Sequence, residues 1–173
     1  MIQDRLSTVT TIRDNRHCIA GCVHCHAHGD QLMDVNHSNR FHLAIEAGDL
    51  ETAVPWYTNV LGCSLDMKEA GKWQDINFWG NELTLHASKP RSEKGNERSR
   101  HDVDMGRVCV PHFGIHLDIK TYIRVKERVE ATGGFLDEPY IRFAGTDYEQ
   151  ETFFVEDPNY NVLEIKSMSN AQS

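Results

Sequence analysis

Two histidines lie at matching positions inside two apolar, strand-like segments of the sequence. His42 lies in FHLAI, residues 41–45, and His112 lies in PHFGI, residues 111–115. A polar imidazole inside an apolar strand must be hydrogen-bonded, exposed to water or bound to a ligand. Because the two histidines share one register in two similar segments, we expect both side chains to face one cavity.

A carboxylate supplies a third candidate for the same cavity. Glu164 lies between apolar residues in NVLEIKS, where an unpaired charge inside a sheet would be costly. A divalent cation would remove that cost, and Arg142 is the structural alternative. Two imidazoles and one carboxylate, with positions left open, suit Fe2+, Mn2+, Ni2+ or Zn2+. The sequence therefore predicts a metal site of His42, His112 and Glu164, with His116 as a proton carrier or supporting partner on the same strand face.

The elements that would position these residues occur twice along the chain. Residues 39–88 read as a strand, a helix over GDLETAVPWYTNVLGC and three further strands. Thr52 is the expected N-cap of that helix, which would place Pro55 in the first turn, where proline costs little. Residues 109–168 repeat the same order. This repetition predicts an α+β fold built from two tandem βαβββ units within residues 39–168.

The remaining segments are polar and lack periodicity. Residues 89–108 are dense in charge and predict a mobile linker between the units, although their length would also suit a flap over a site. Residues 1–38 predict a poorly structured leader, and residues 169–173 form a short tail.

Composition narrows the range of partners. The net charge is −8, from 26 acidic and 18 basic residues, so the chain offers no positive surface for nucleic acid or an anionic membrane. No apolar run approaches the roughly 20 residues of a membrane span, and the start has no apolar secretion segment. We therefore expect a cytoplasmic protein. Its five cysteines, an odd number unevenly spread, indicate reduced thiols rather than a disulfide framework.

The leader contains a second group of metal-binding residue types. HCIAGCVHCHAHGD, residues 17–30, holds three cysteines and four histidines. Its C-x3-C-x2-C spacing resembles the cluster loop of radical S-adenosylmethionine enzymes, but the chain is too short for the barrel that such enzymes need. A zinc site of Cys18, Cys22 and Cys25 with a nearby histidine is the functional alternative to an unstructured leader, although it lacks the distant second pair of most structural sites.

The two units resemble the vicinal oxygen chelate superfamily, which has the fold of glyoxalases, bleomycin-resistance proteins and extradiol dioxygenases. FHLAIEAGDLETAVPWYTNVLG opens the first unit, PHFGIHLD opens the second and DPNYNVLEIKS closes it, so the resemblance covers residues 40–167. It implies an open, curled mixed sheet with metal ligands on the first and last strands of the units. His42, His112 and Glu164 match those positions.

One position departs from the glyoxalase pattern. Thr84 stands where glyoxalase-type members have a carboxylate opposite Glu164. Glu82 and His86 lie two residues to either side on the same face, so either could complete the site if the strand register shifts.

The resemblance implies two kinds of function. The first is a metal-dependent enzyme, of the lyase, isomerase or dioxygenase type, in which the metal acts as a Lewis acid on a small molecule with vicinal oxygens. The alternative is a non-catalytic binding protein of the bleomycin-resistance kind that sequesters a small molecule. A homodimer is also implied by the resemblance.

Overall fold

The structure is a computed structural model, and it describes residues 39–94, 99–103 and 106–168. The expected leader, its cysteine- and histidine-rich stretch and the tail lie outside the described residues. Among the helices of the described part, none is long and apolar enough to cross a membrane.

The first unit forms a four-stranded mixed sheet with one helix. Strand β1 spans His42–Gly48 and helix α1 spans Leu50–Pro55, continuing as π-helical turns over Trp56–Leu61. The three remaining strands are β2 (Ser64–Glu69), β3 (Trp73–Phe78) and β4 (Asn81–Ala87). The strand order is β1-β4-β3-β2, with β1 parallel to β4 and the other pairs antiparallel.

The second unit repeats this arrangement. Its elements are β7 (Phe113–His116), α2 (Ile119–Thr132), β8 (Phe135–Arg142), β9 (Gln150–Glu156) and β10 (Val162–Met168). The order β7-β10-β9-β8 matches that of the first sheet, and β7 is again parallel to its neighbour. The predicted α+β fold of two βαβββ units is therefore confirmed.

The segment predicted to be a linker contains a short hairpin. Strands β5 (Arg100–Val103) and β6 (Gly106–Cys109) pair antiparallel and form a separate two-stranded sheet. Val108 and Cys109 of this hairpin pack with Phe154 and Val162 of the second sheet. The hairpin therefore covers part of that sheet, an arrangement that the charged sequence alone did not indicate.

Helix α1 begins earlier than expected. Asp49, not Thr52, is its N-cap, and the Asp49 carboxylate accepts a hydrogen bond from the Glu51 backbone N–H at 3.0 Å. Pro55 consequently lies at the end of the α-helical part rather than in the first turn. The wider π-helical turns begin directly after Pro55, and such turns are one way in which a helix continues past an interrupted hydrogen-bond ladder.

The core lies between the sheets and the helices. Alternate strand residues such as Ile76, Leu85 and Ile165 are fully buried, and they belong to one cluster with Tyr57 and Val125 of the helices. The apolar stripe of the first helix belongs to this cluster or packs against it: Leu50, Ala53, Val54, Tyr57, Val60 and Leu61.

Buried polar contacts join the two units. Arg128 of α2 donates to the Val60 and Leu61 carbonyls at 3.1 and 2.8 Å, where the first helix ends and its carbonyls need partners. The Tyr57 hydroxyl donates to Asp157 at 3.0 Å, and burial raises the pKa of both groups. These bonds connect the first helix to α2 and to the turn between β9 and β10.

Candidate functional site

Strand pairing places the ionisable side chains of Glu164, Lys166 and His116 on one face of the second sheet, the face that points away from the helices. Glu164 alternates along β10 with Leu163 and Ile165, which are buried in the helix-facing core. Lys166 follows Glu164 on the same face, because side chains two residues apart in a strand point the same way. In the parallel pair with β7, Glu164 lies opposite Gly114 and Lys166 lies opposite His116.

The Glu164 carboxylate is surrounded by donors. Its side chain is only 6% exposed. Lys166 Nζ lies 2.7 Å from Oε2, and the Thr152 hydroxyl donates to Oε1 at 3.0 Å. His112 Nε2 lies 3.5 Å from Oε2, and Arg142 lies 4.0 Å from Oε1. Each carboxylate oxygen therefore has a close partner supplied by the chain.

These contacts determine the charge of the cluster. Burial by itself would raise the pKa of Glu164, but hydrogen bonds from His112 and Lys166 and the Lys166 charge outweigh it and lower the pKa to about 2. The hydrogen bond to Glu164 raises the pKa of His112 above its usual value. For His116, burial and the charge of Lys166 lower the pKa. Glu164 is therefore ionised at neutral pH, and His112 is the group in this cluster that is best placed to gain or lose a proton.

His112 is held in one orientation by the β5–β6 hairpin. Its Nδ1 lies 2.5 Å from the Cys109 carbonyl, which can only accept, so Nδ1 carries a proton and Nε2 faces Glu164. The ring also packs edge-on against Phe154, with 5.3 Å between centroids. The hairpin thus sets which imidazole nitrogen is available to a ligand.

The structure places His42 in a different pair. Its Nδ1 lies 2.6 Å from Glu82 Oε1 on the neighbouring strand β4, and both side chains are substantially exposed. Of the other residues considered at this position, Thr84 donates to Asp75 at 2.6 Å, and His86 lies opposite Glu46. The structure therefore brings His112 and Glu164 together and gives His42 a carboxylate partner of its own.

The described residues do not fit a resident metal ion in the arrangement that the structure shows. Across residues 39–94, 99–103 and 106–168, no group of three or more His, Cys, Asp and Glu side chains could hold a metal. The chemistry of the donors gives the reason. Lys166 Nζ lies against the Glu164 oxygen that also faces His112, and the structure does not bring His42 to this pair.

A cleft of about 520 Å³ lies along the edge strands of the two units. We refer to it as the cleft, and it is lined by Phe41, Leu43, Phe78, Asn81, Glu82, Leu83, His112, Phe113, Gly114, Ile115, His116, Glu164 and Lys166. Its volume lies within the usual range for small-molecule sites, and mostly apolar walls with a few convergent polar groups are typical of them. Lys166 was missed by sequence reasoning, although its place two residues after Glu164 was a signal that both share one face.

Comparison with known proteins agrees with the fold. A glyoxalase/bleomycin resistance protein/dioxygenase from Alicyclobacillus acidocaldarius is 31% identical, with a TM-score of 0.59, and the match covers 77% of this chain and 93% of that one. A lactoylglutathione lyase from Agrobacterium tumefaciens is 20% identical, with a TM-score of 0.50, over 75% and 93% of the two chains. The fosfomycin resistance protein FosX from Listeria monocytogenes is 13% identical, with a TM-score of 0.51, over 76% and 92%. No family model and no curated protein matches the chain.

The paired βαβββ units, with ionisable residues on the sheet face away from the helices, define a glyoxalase-type fold. The chain belongs to the vicinal oxygen chelate superfamily, which includes glyoxalase, bleomycin-resistance and dioxygenase proteins.

Proposed function

We propose that this protein binds a small molecule with neighbouring oxygen atoms in the cleft, and that His112, Glu164 and Lys166 contact it without a metal ion. The observation that carries this proposal is the donor-rich cluster around Glu164 on the wall of the cleft. An ammonium group and an imidazole N–H are donors that suit ligand oxygens. The apolar residues opposite them would exclude water and strengthen these bonds.

The same cluster supports proton transfer to a bound molecule. His112 has one nitrogen held by a backbone carbonyl and the other directed towards a carboxylate, so a proton on Nε2 has a defined position. With Nδ1–H held by the carbonyl, the imidazole can give the Nε2 proton to a ligand and take it back. Proton transfer at the carbon or oxygen atoms of a small oxygen-bearing ligand is the chemistry that this geometry supports best.

Calorimetric titration with defined probes tests the proposal. Catechol, pyruvate and glycolate each carry two neighbouring oxygens, and we expect at least one of them to bind the metal-free protein. His112→Gln should weaken that binding about tenfold or more, because it removes the imidazole N–H that would contact the ligand. His101→Gln, an exposed histidine on β5, is the matched control and should leave binding unchanged. Absence of binding by all three probes, or equal binding by both variants, would contradict the proposal.

The metal-dependent enzyme predicted from sequence is the second candidate. It is favoured by the hydrogen bond from His112 Nδ1 to a backbone carbonyl, because metal-ligating histidines usually have such a partner on their second nitrogen. In that candidate His42, His112 and Glu164 hold a divalent ion, and Glu82, the partner of His42, also lines the cleft. One tightly held equivalent of Fe, Mn, Ni or Zn, lost in both His42→Ala and Glu164→Ala, would favour it over the first candidate. The homodimer and the cytoplasmic location stay predictions.

A further inference from the structure

We infer that Lys166 is a built-in cation that takes the place of a divalent metal at Glu164, so that the cleft engages a negatively charged ligand oxygen through an ammonium group. This inference rests on the proposed binding of a small molecule in the cleft, and it names the group and the ligand chemistry. A small carboxylate or enolate is the class of ligand that such a group would recognise.

The contacts of Glu164 provide the first argument. Lys166 Nζ lies 2.7 Å from Oε2, closer than the 3.5 Å from that oxygen to His112 Nε2, while Thr152 holds Oε1. A metal bound between His112 and Glu164 would need the oxygen that Lys166 occupies. The Lys166 side chain is only 18% exposed, so it is held in the protein rather than free to move into solvent.

The strand geometry provides the second argument. Lys166 and Glu164 share a face of β10, and both line the cleft together with His112 and His116. A divalent ion at Glu164 would therefore lie close to a fixed positive charge in a partly buried site, where like charges repel strongly. An ammonium group also keeps N–H donors for a ligand after pairing with one carboxylate oxygen, since it has three.

The position of His42 provides the third argument. A three-ligand site of these residues needs this histidine, but His42 is not among the residues that line the cleft with His112 and Glu164. His112 and Glu164 alone supply two protein ligands, fewer than the three that catalytic zinc sites commonly use. Lys166 completes the charge balance of Glu164 without a third ligand.

Metal titration of variants tests this inference directly. We expect the wild-type protein, purified without added metal, to contain less than one tenth of an equivalent of divalent metal and to bind Co2+ weakly. Lys166→Met removes the charge but keeps the packing of the side chain, and should raise Co2+ affinity at least tenfold because Glu164 and His112 become available. The double variant Lys166→Met with Glu164→Gln should lose the gain. Lys126→Met breaks an ion pair with Glu151, which is not a residue of the cleft wall, and serves as the control.

Two results would overturn the inference: a full equivalent of tightly held metal in the wild-type protein, or no gain of Co2+ affinity in Lys166→Met. Circular dichroism of each variant establishes that it is folded, and Lys166→Gln provides a second, polar substitution should the Met variant fail to fold.

Ligand binding separates this inference from the proposed function. If pyruvate binds metal-free wild-type protein and Lys166→Met binds it at least tenfold more weakly, both are supported. If Lys166→Met binds pyruvate as tightly as the wild type, the inference that Lys166 contacts the ligand is wrong, whereas the proposed binding of a small molecule in the cleft is still supported. If none of the three probes binds with or without metal, the proposed function fails, and the Co2+ titration still decides whether Lys166 excludes a metal.

Discussion

Gly114 faces the Glu164 backbone so closely that a side chain at position 114 would overlap the Glu164 carbonyl group. This close approach brings β7 against β10 at the point where the site lies. It also leaves the space above Glu164 open between His112 and His116, which lie two residues to either side of the glycine on the same face.

Replacing Gly114 should lower the stability of the fold. Because the new methyl group would meet backbone rather than a flexible side chain, we expect Gly114→Ala to lower the free energy of unfolding by about 3 kcal/mol. Urea denaturation measures the change. Gly71→Ala is the control: it has a positive φ of 71° but open space around it, so about 1 kcal/mol of backbone strain is expected. Similar losses in the two variants would contradict the role assigned to the close approach.

Acid should lower the free energy of unfolding, because it protonates the Glu164 carboxylate. Its pKa is about 2 in the folded protein against an ordinary value of 4.5, so its stabilising contribution is complete above pH 4.5 and is lost as pH falls towards 2. The contribution amounts to at most about 3 kcal/mol. Glu164→Gln should flatten the pH dependence of the unfolding free energy between pH 5 and pH 2.5, whereas the exposed Glu127→Gln should not. An unchanged acid limb in Glu164→Gln would show that the carboxylate lacks these partners.

His112, the partner of Glu164, should make the stability of the fold decrease as pH rises. Because the pKa of His112 is raised in the folded protein, its stabilising contribution is complete below its ordinary value of 6.5 and is lost as pH rises through the folded value. His112→Gln should remove that alkaline loss of stability in thermal melts between pH 6 and pH 9. The lowered pKa of His116 works in the opposite direction, so His116→Gln is the matched comparison. If the two variants change the profile alike, the Glu164 contact is not the cause.

The β5–β6 hairpin should influence binding through His112. Arg100 donates to both Asp137 oxygens, at 2.8 and 3.0 Å, and this bond fastens the hairpin to the second sheet. We expect Arg100→Gln to cost about 1 kcal/mol of stability and to weaken probe binding several-fold, because Cys109 of the hairpin orients the imidazole. Arg107→Gln affects a largely exposed ion pair on the same hairpin and should do little. Calorimetric titration and thermal melting of both variants test this prediction. Weaker probe binding in Arg100→Gln alone would show that the hairpin positions His112, whereas equal binding in both variants would show that it only covers the sheet.

The two units should separate more easily without Arg128. Removal of its guanidinium in Arg128→Met leaves two carbonyls at the end of the first helix without their donor, and about 2 kcal/mol of stability should be lost. Arg124→Met, on the exposed side of the same helix, should cost a few tenths of that amount. Equal unfolding free energies for the two variants would contradict the proposed contact between units.

Local patterns were sufficient to predict the elements and their faces. Alternation in β3 puts Gln74, Ile76 and Phe78 on one face, which is buried in the structure, and the order of strands and helix occurs twice as expected. Glu164 was recognised because an ionisable group replaced an apolar one in a regular pattern. The N-cap of α1 was wrong, because Asp49 and Thr52 are both good capping residues and only the three-dimensional path of the chain selects between them.

The sequence by itself determined what repeats along one strand or helix: the two βαβββ units, the buried faces and the presence of His112 and Glu164 at the first and last strands of the second unit. Only the tertiary structure decided what meets across strands. It paired His42 with Glu82, placed Lys166 against Glu164 and folded the charged segment into a hairpin that orients His112. The physical reason is that side-chain periodicity is local, whereas distances of a few ångströms between strands depend on register and on how separate elements pack.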